Sequence, residues 1–437
     1  MGTFTQKLHS FFLQKELLSS SEKSNLDTLM LLGLGLFPLL YLTLRSWTNV
    51  FVFVLFLLAL FYTLKNFQSI RSNLDGATSK WIVFTLCSPL LAIFISQAFR
   101  QEFSSTAFDG PIRILLTALV FLYLKDRQIN FTKLIEWVIP ISLLICVGAY
   151  LFNPAASAMW GGRAATYFVD TITFGTYCLI LGFICLISIG INPDKEHPLL
   201  TILKITGFAI GCYIAIKSQS RSAWTAAIGL LIYLSFVRFH KKHSFYPWIF
   251  IALSAIAIMI IYQFSPDVHH RVNLGVKEVI TYFTANKFDT SIGLRISMIR
   301  VAINLIIDNP LSGLKDGVMP ALNTIPSIQP FYSDLLQQMI RDTGTHTEIL
   351  AQGVRSGIWG LISSTALFLA PGWIFFTRIT NQNSRIRNAA IIGFALVLGL
   401  FIASLTIQVF NLKYTSSFYA LMIAALSAQA LQKSEAN

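Results

Sequence analysis

The stretch Ala389-Ala-Ile-Ile-Gly-Phe-Ala-Leu-Val-Leu-Gly-Leu-Phe-Ile-Ala-Ser-Leu-Thr-Ile-Gln-Val409 carries no charge over its whole length. A hydrocarbon core roughly 30 Å thick takes about 20 helical residues to cross, so this segment reads as a membrane span. Eleven further apolar stretches have the same character: 28–44, 49–63, 81–98, 112–124, 135–152, 168–191, 199–216, 222–237, 246–263, 357–376 and 415–431. The expected fold is therefore all-α: a polytopic integral membrane protein with about twelve transmembrane helices and one large outer loop. Arg113, just inside the fourth span, is expected to snorkel outward.

The spans divide the chain into a tail (1–27), nine helices (28–263), a long outer segment with amphipathic helices (264–356), three more helices (357–431) and a short tail (432–437). Composition agrees, because 54% hydrophobic residues, 36 Phe and 12% charged residues cannot cover an ordinary soluble surface. The first 27 residues are polar and mixed in charge, with Lys7, Lys15, Glu16, Glu22 and Lys23, so no cleaved leader is expected and both ends should face the cytoplasm. On that side the connections carry Lys65, Arg71, Lys80, Lys125, Arg127, Lys133, Lys195, Arg238, Lys241, Lys242, Arg378, Arg385, Arg387 and Lys433. Such an excess of Lys and Arg is what orientation in a membrane selects. It accounts for much of the net charge of +13, so no nucleic-acid partner is needed to explain it.

Cys87, Cys146, Cys178, Cys185 and Cys212 all fall within the spans and read as small apolar residues. His240 and His243 lack the acidic or Cys companions of a metal cluster. The sequence has no CxxC, GxxxxGK[ST] or GxGxxG, which removes the usual grounds for thiol redox chemistry, nucleotide hydrolysis or dinucleotide binding.

Charges on the outer side oppose the orientation rule and are more informative. Arg45, Arg100, Arg163, Lys217, Arg221 and Lys413 lie there in short connections. The turn Lys217-Ser-Gln-Ser-Arg221 sets two cations at the mouth of the bundle, although a cation at a turn can also bind lipid phosphate or cap a helix. In the long outer segment, Leu294, Met298, Val301 and Leu305 recur at intervals of three and four. They predict an amphipathic helix over 291–308, stopped by Asn309-Pro310, with Arg295 one residue from the apolar face. Thr345 and Glu348 have the spacing of a capping box, which would place His346 in the first turn of a helix. Apart from Asp170 near an outer end, almost no ionisable group falls inside the spans.

These residues resemble the bacterial O-antigen ligases and their relatives, the O-antigen polymerases and protein O-oligosaccharyltransferases. The resemblance rests on Ser218-Gln-Ser-Arg221, on Leu294-Arg295 leading to Asp308-Asn-Pro310-Leu-Ser-Gly313, and on His346 with Gly357 and Gly360 downstream. It departs where this chain has Thr347 after His346 and Lys315-Asp316 after Gly313-Leu. It implies a fold similar to the GT-C class of lipid-dependent glycosyltransferases, in the bacterial inner membrane with its site facing the periplasm. The implied reaction moves O-antigen from undecaprenyl diphosphate to a sugar hydroxyl of lipid A–core, without a cofactor. Arg221, Arg295, Arg163 and Lys217 would then bind the diphosphate, and His346 or Glu348 would serve as base. Neither Asp-x-Asp nor a carboxylate cluster appears in the outer segments, so transfer without a metal ion is expected. A polymerase, a protein O-oligosaccharyltransferase and a transporter remain as alternatives; the transporter should place ionisable groups at mid-membrane.

Overall fold

The computed structural model describes residues 25–74, 76–191, 196–239, 245–315 and 319–432, and every regular element among them is helical. The expectations resting on Lys7, Lys15, Glu16, Glu22, Lys23, Lys195, His240, Lys241, Lys242, His243, Asp316 and Lys433 lie outside those residues. The first half contains α1 (Asn25–Leu36), α2 (Trp47–Lys65), α3 (Phe67–Asn73), α4 (Ala77–Arg100), α5 (Asp109–Arg127), α6 (Phe131–Phe152), α7 (Pro154–Ala158), α8 (Thr171–Ser188) and α9 (Pro198–Ser218). The second contains α10 (Arg221–Phe239), α11 (Tyr246–Phe264), α12 (Pro266–Thr284), α13 (Ser291–Asp308), α14 (Asp334–Thr343), α15 (Glu348–Phe376), α16 (Ser384–Ser404) and α17 (Lys413–Ala430).

Ten of these helices are long and apolar enough to cross a membrane: α2, α4, α5, α6, α8, α9, α10, α11, α15 and α16. The two remaining expected spans differ for separate reasons. The first stops as α1 at Leu36 because Pro38 disfavours helical geometry at the residue before it; the freed Leu36 carbonyl accepts from Trp47 Nε1 at 2.8 Å. The last is α17, whose residues Thr415 to Ala430 are all buried, so its Ser, Thr and Gln side chains pack on helices rather than lipid. By contrast α11 buries only Pro247, leaving its apolar sides facing outward.

Cross-links between connections show which of them share an end of the bundle. At one end Ala164 N donates to Lys217 O at 3.1 Å, Thr347 Oγ1 to Leu405 O at 3.3 Å, and Lys413 pairs with Asp109. At the other, Arg127 pairs with the buried Asp27 at 2.6 Å and Gln429 donates to Arg385 O at 2.9 Å. The second end carries the described basic residues expected on the inner side. Two expectations change here. Glu136 and Lys204 are ionisable groups buried inside spans, but they neutralise one another near the basic end: Lys204 Nζ lies 3.4 Å from Glu136 and 2.5 Å from Glu196, and bonds Ser188 O. Arg113 does not reach water; it bends one turn back to Asp109, at 2.6 Å, and stays buried.

The long outer segment forms its own core. Leu294, Met298, Val301 and Leu305 are buried against Leu322, Phe331, Leu336 and Ile340, as their spacing requires. Each such side chain contributes on the order of 1.5–3 kcal/mol. After α13, residues 309–314 enter a break in α15, where Ser356 and Gly357 leave helical geometry. Three bonds stitch the break to its surroundings: Ile358 N donates to Pro310 O (2.8 Å), Leu314 N to Val354 O (2.7 Å), and Arg100 Nη1 to Arg355 O (3.0 Å). Arg100 also bonds Ser312 O and Leu314 O, so this outer cation pins the crown to the bundle. Gly357 has φ +60, and a β-carbon there would collide with Pro310 O. Gly357→Ala should therefore cost about 2–4 kcal/mol, from left-handed strain plus overpacking. Thermal unfolding in detergent measures this, and an unchanged melting temperature would refute the lock.

Candidate active site

The turn between α9 and α10 is built from small residues because it lies directly on α8. Ser218 and Ser220 are fully buried; Ser220 Oγ is 3.2 Å from Thr176 Oγ1, and Ser218 fills the space that a side chain at Gly175 would need. Gln219 reverses the chain at φ 53, so α10 begins at Arg221. A cation in the first turn opposes the helix macrodipole, so helix stability does not account for it. The same N-terminus offers N–H groups to an anion. Arg221 Nη1 donates to Glu278 at 3.1 Å and Nη2 to Arg271 O at 3.3 Å, both on α12.

Arg163 arrives from the α7–α8 connection. Gly161 and Gly162, at φ +64 and +77, turn the chain in a region that glycine enters without steric cost. Arg163 Nε then donates to Ser218 O at 2.9 Å. Arg295 stands on α13 beside the buried Leu294, half-buried, with no hydrogen bond or ion pair to any described residue. Burial, and then the guanidinium groups of Arg221 and Arg271, hold Arg295 below the usual arginine value. Burial and Arg271 do the same to Arg163, which also feels Asp170, Arg295 and Arg221.

His346 is not in the first turn of a helix. The capping box expected from Thr345 and Glu348 does not form: the N-cap is Thr347, and Thr345 Oγ1 is buried without a partner. His346 precedes the helix in left-handed geometry, φ 55, which is uncommon for a residue with a side chain. Its loop is strapped down by Thr347 to Leu405 and by Gln408 Nε2 to Thr343 O at 3.1 Å. His346 Nε2 lies 3.0 Å from Thr343 Oγ1, whose one proton is committed to Met339 O at 2.7 Å. Nε2 must then donate, which assigns the free lone pair to Nδ1. Burial, then Arg295, push the imidazole below its usual 6.5, against a smaller opposite pull from Asp170.

Arg163, Arg221, Arg295 and His346 thus come together at the crown end of the bundle. Two of the expected site residues do not join them. Lys217 is exposed, 3.8 Å from Asp267. Glu348 is fully buried, accepting from Phe410 N and Gln352 Nε2, each at 2.8 Å, so its carboxylate anchors the α16–α17 connection. The cluster also contains residues that sequence reasoning missed. Asp170 caps α8 through Ile172 N and Thr173 N. Arg271, Gly275 and Glu278 fall at spacings of four and three along α12, about a quarter-turn round the helix from the exposed Val272, Val276, Val279 and Phe283. That amphipathic pattern was the signal available for Arg271 and Glu278.

Fold and site together define a multi-pass all-α membrane protein with a cluster of guanidinium groups around His346 at one end. Residues 206–365, which include all of these groups except Arg163 and Asp170, match the family described as O-antigen ligase. It is similar to the O-antigen ligase of Escherichia coli (strain K12), 21% identical over 283 residues that make up 64% of this chain and 65% of the relative. An uncharacterized protein of Haemophilus influenzae is 23% identical over 313 residues, 70% of this chain and 73% of the relative. The chain thus spans slightly less than two thirds of the first relative's length.

Proposed function

We propose that this protein is a lipid-dependent glycosyltransferase that ligates O-antigen from undecaprenyl diphosphate onto a sugar hydroxyl of lipid A–core. In this reading it sits in the bacterial inner membrane, both termini cytoplasmic, with its site in the periplasm. The carrying observation is the gathering of Arg163, Arg221 and Arg295 around His346, at the end of the bundle opposite the basic connections. The reading of the two ends follows from the orientation rule. A donor that brings a lipid diphosphate as its own leaving group suits a compartment without nucleotides.

The acceptor hydroxyl oxygen attacks the anomeric carbon of the donor sugar, and the bond from that carbon to the diphosphate oxygen breaks. The bonding pair leaves on undecaprenyl diphosphate, where the guanidinium groups bind phosphate oxygens and stabilise the growing charge. His346 Nδ1 takes the hydroxyl proton. Because fixed guanidinium groups supply the positive charge that a divalent ion would otherwise bring, transfer is expected to survive chelation.

Lipopolysaccharide from a strain lacking this protein tests the reading. The expected result is loss of every polymer-bearing band with lipid-linked polymer accumulating. A shift to core plus one repeat would make the protein a polymerase instead, and an unaltered pattern would remove it from this pathway.

A further inference from the structure

Arg271 has no counterpart in the reading above, yet its surroundings are those of a ligand-binding group. It shares one face of α12 with Gly275 and Glu278. That face lies against Arg221: a β-carbon at Gly275 would sit 3.4 Å from the Arg221 guanidinium carbon, and Glu278 pairs with Arg221 at 3.1 Å. Glu278 also accepts from Ile292 N at 3.1 Å, so one carboxylate ties α12 both to Arg221 and to the start of the helix bearing Arg295. Arg271 itself makes no ion pair among the described residues, and its Nε is buried without a hydrogen-bond partner.

Charge counting makes the arrangement unfavourable as it stands. Four guanidinium groups (Arg163, Arg221, Arg271, Arg295) meet two carboxylates (Asp170, Glu278), a surplus of two positive charges in a partly desolvated place. Uncompensated like charges of this kind are retained where a ligand supplies the opposite sign. A sugar–diphosphate–lipid carries one negative charge on each phosphate, which matches the surplus.

We propose that Arg271 is a substrate-binding residue, supplying from α12 a further guanidinium fork to a lipid diphosphate and so making the site selective for diphosphate over monophosphate. This rests on the donor assignment under the proposed function. A residue held for structure loses stability when replaced. One held for a ligand at the expense of repulsion does not.

The test uses the full-length protein in detergent, with farnesyl diphosphate and farnesyl monophosphate as probes and melting temperature read alongside affinity. Wild type should bind the diphosphate more tightly. Arg271→Gln should weaken diphosphate binding roughly 10-fold or more and monophosphate binding by less than about threefold. Without ligand it should melt at or above the wild-type temperature. Arg271→Lys, which keeps the charge and loses the fork, should fall between the two. Equal diphosphate affinity in Arg271→Gln and wild type overturns the role of Arg271 alone. So does a lower melting temperature with both affinities reduced in proportion, which marks a structural residue. Wild type that does not distinguish either phosphate from farnesol overturns the donor site, and Arg271 with it.

Discussion

Replacing His346 by Asn should slow transfer by roughly 10²- to 10⁴-fold while leaving the fold and donor binding intact. Asn is the informative substitution because position 346 is held at φ 55, a conformation that Asn tolerates and Ala resists. An Ala variant would combine lost chemistry with backbone strain. The Asn amide offers no basic nitrogen, so what disappears is the lone pair assigned to Nδ1. Single-turnover transfer by purified protein measures the rate, and binding of the lipid-linked donor is measured separately. An Asn variant that keeps a tenth or more of the wild-type rate would remove His346 as the base.

The pH profile supplies the sign. The imidazole is held below its usual 6.5, first by burial and then by Arg295, so the neutral form is favoured in the folded protein. Transfer should stay at its plateau as pH falls to 6.5 and decline only below it, as His346 protonates. By the same linkage, the preference for neutral imidazole stabilises the fold above the unfolded value, and that contribution is lost as pH falls toward the folded one. Arg295→Gln, measured at saturating donor, should move the acid limb up toward 6.5 because a positive neighbour is gone. Glu348→Gln should leave the limb in place, since the Glu348 carboxylate is buried under Phe410 N and Gln352.

How far the site was legible in the sequence depends on the kind of signal each residue left. Arg221 and Arg295 could be found because they are cations on the side that the orientation rule expects to be poor in them, and His346 because it stood beside an expected helix start. The α13 helix was readable because one apolar stripe repeats through four buried residues. Thr345 and Glu348 misled because a spacing of three says nothing about where the helix starts. Tertiary pull on Glu348 from Phe410, more than sixty residues later in the chain, decided that. Arg100 was named only as one of the outer-side cations, and its part as a pin could not be read from the sequence, since its three carbonyl partners come from segments more than 200 residues away. Glu136 and Lys204 were invisible as a pair for the same reason: two helices had to be placed side by side before their charges cancelled.

Arg221 carries the second large effect, and substitution by Lys separates its charge from its shape. Its guanidinium holds two acceptors on α12 at once, Glu278 at 3.1 Å and Arg271 O at 3.3 Å, and still presents remaining N–H groups to a ligand. A Lys ammonium is shorter in reach across its donors and has no planar fork, so it can keep the Glu278 pair or meet a phosphate oxygen but not both in the same geometry. Arg221→Ala should lose on the order of 2–4 kcal/mol at the transition state, or roughly 30- to 1,000-fold in rate. Arg221→Lys should lose nearly as much. Expression and melting temperature must match wild type in each case, because Arg221 also helps seat α12. A Lys variant with full activity would mean that the site needs only a positive charge at the start of α10. An Ala variant with full activity would mean that the charges meeting the diphosphate are those of Arg163, Arg271 and Arg295, with Arg221 serving only to hold Glu278.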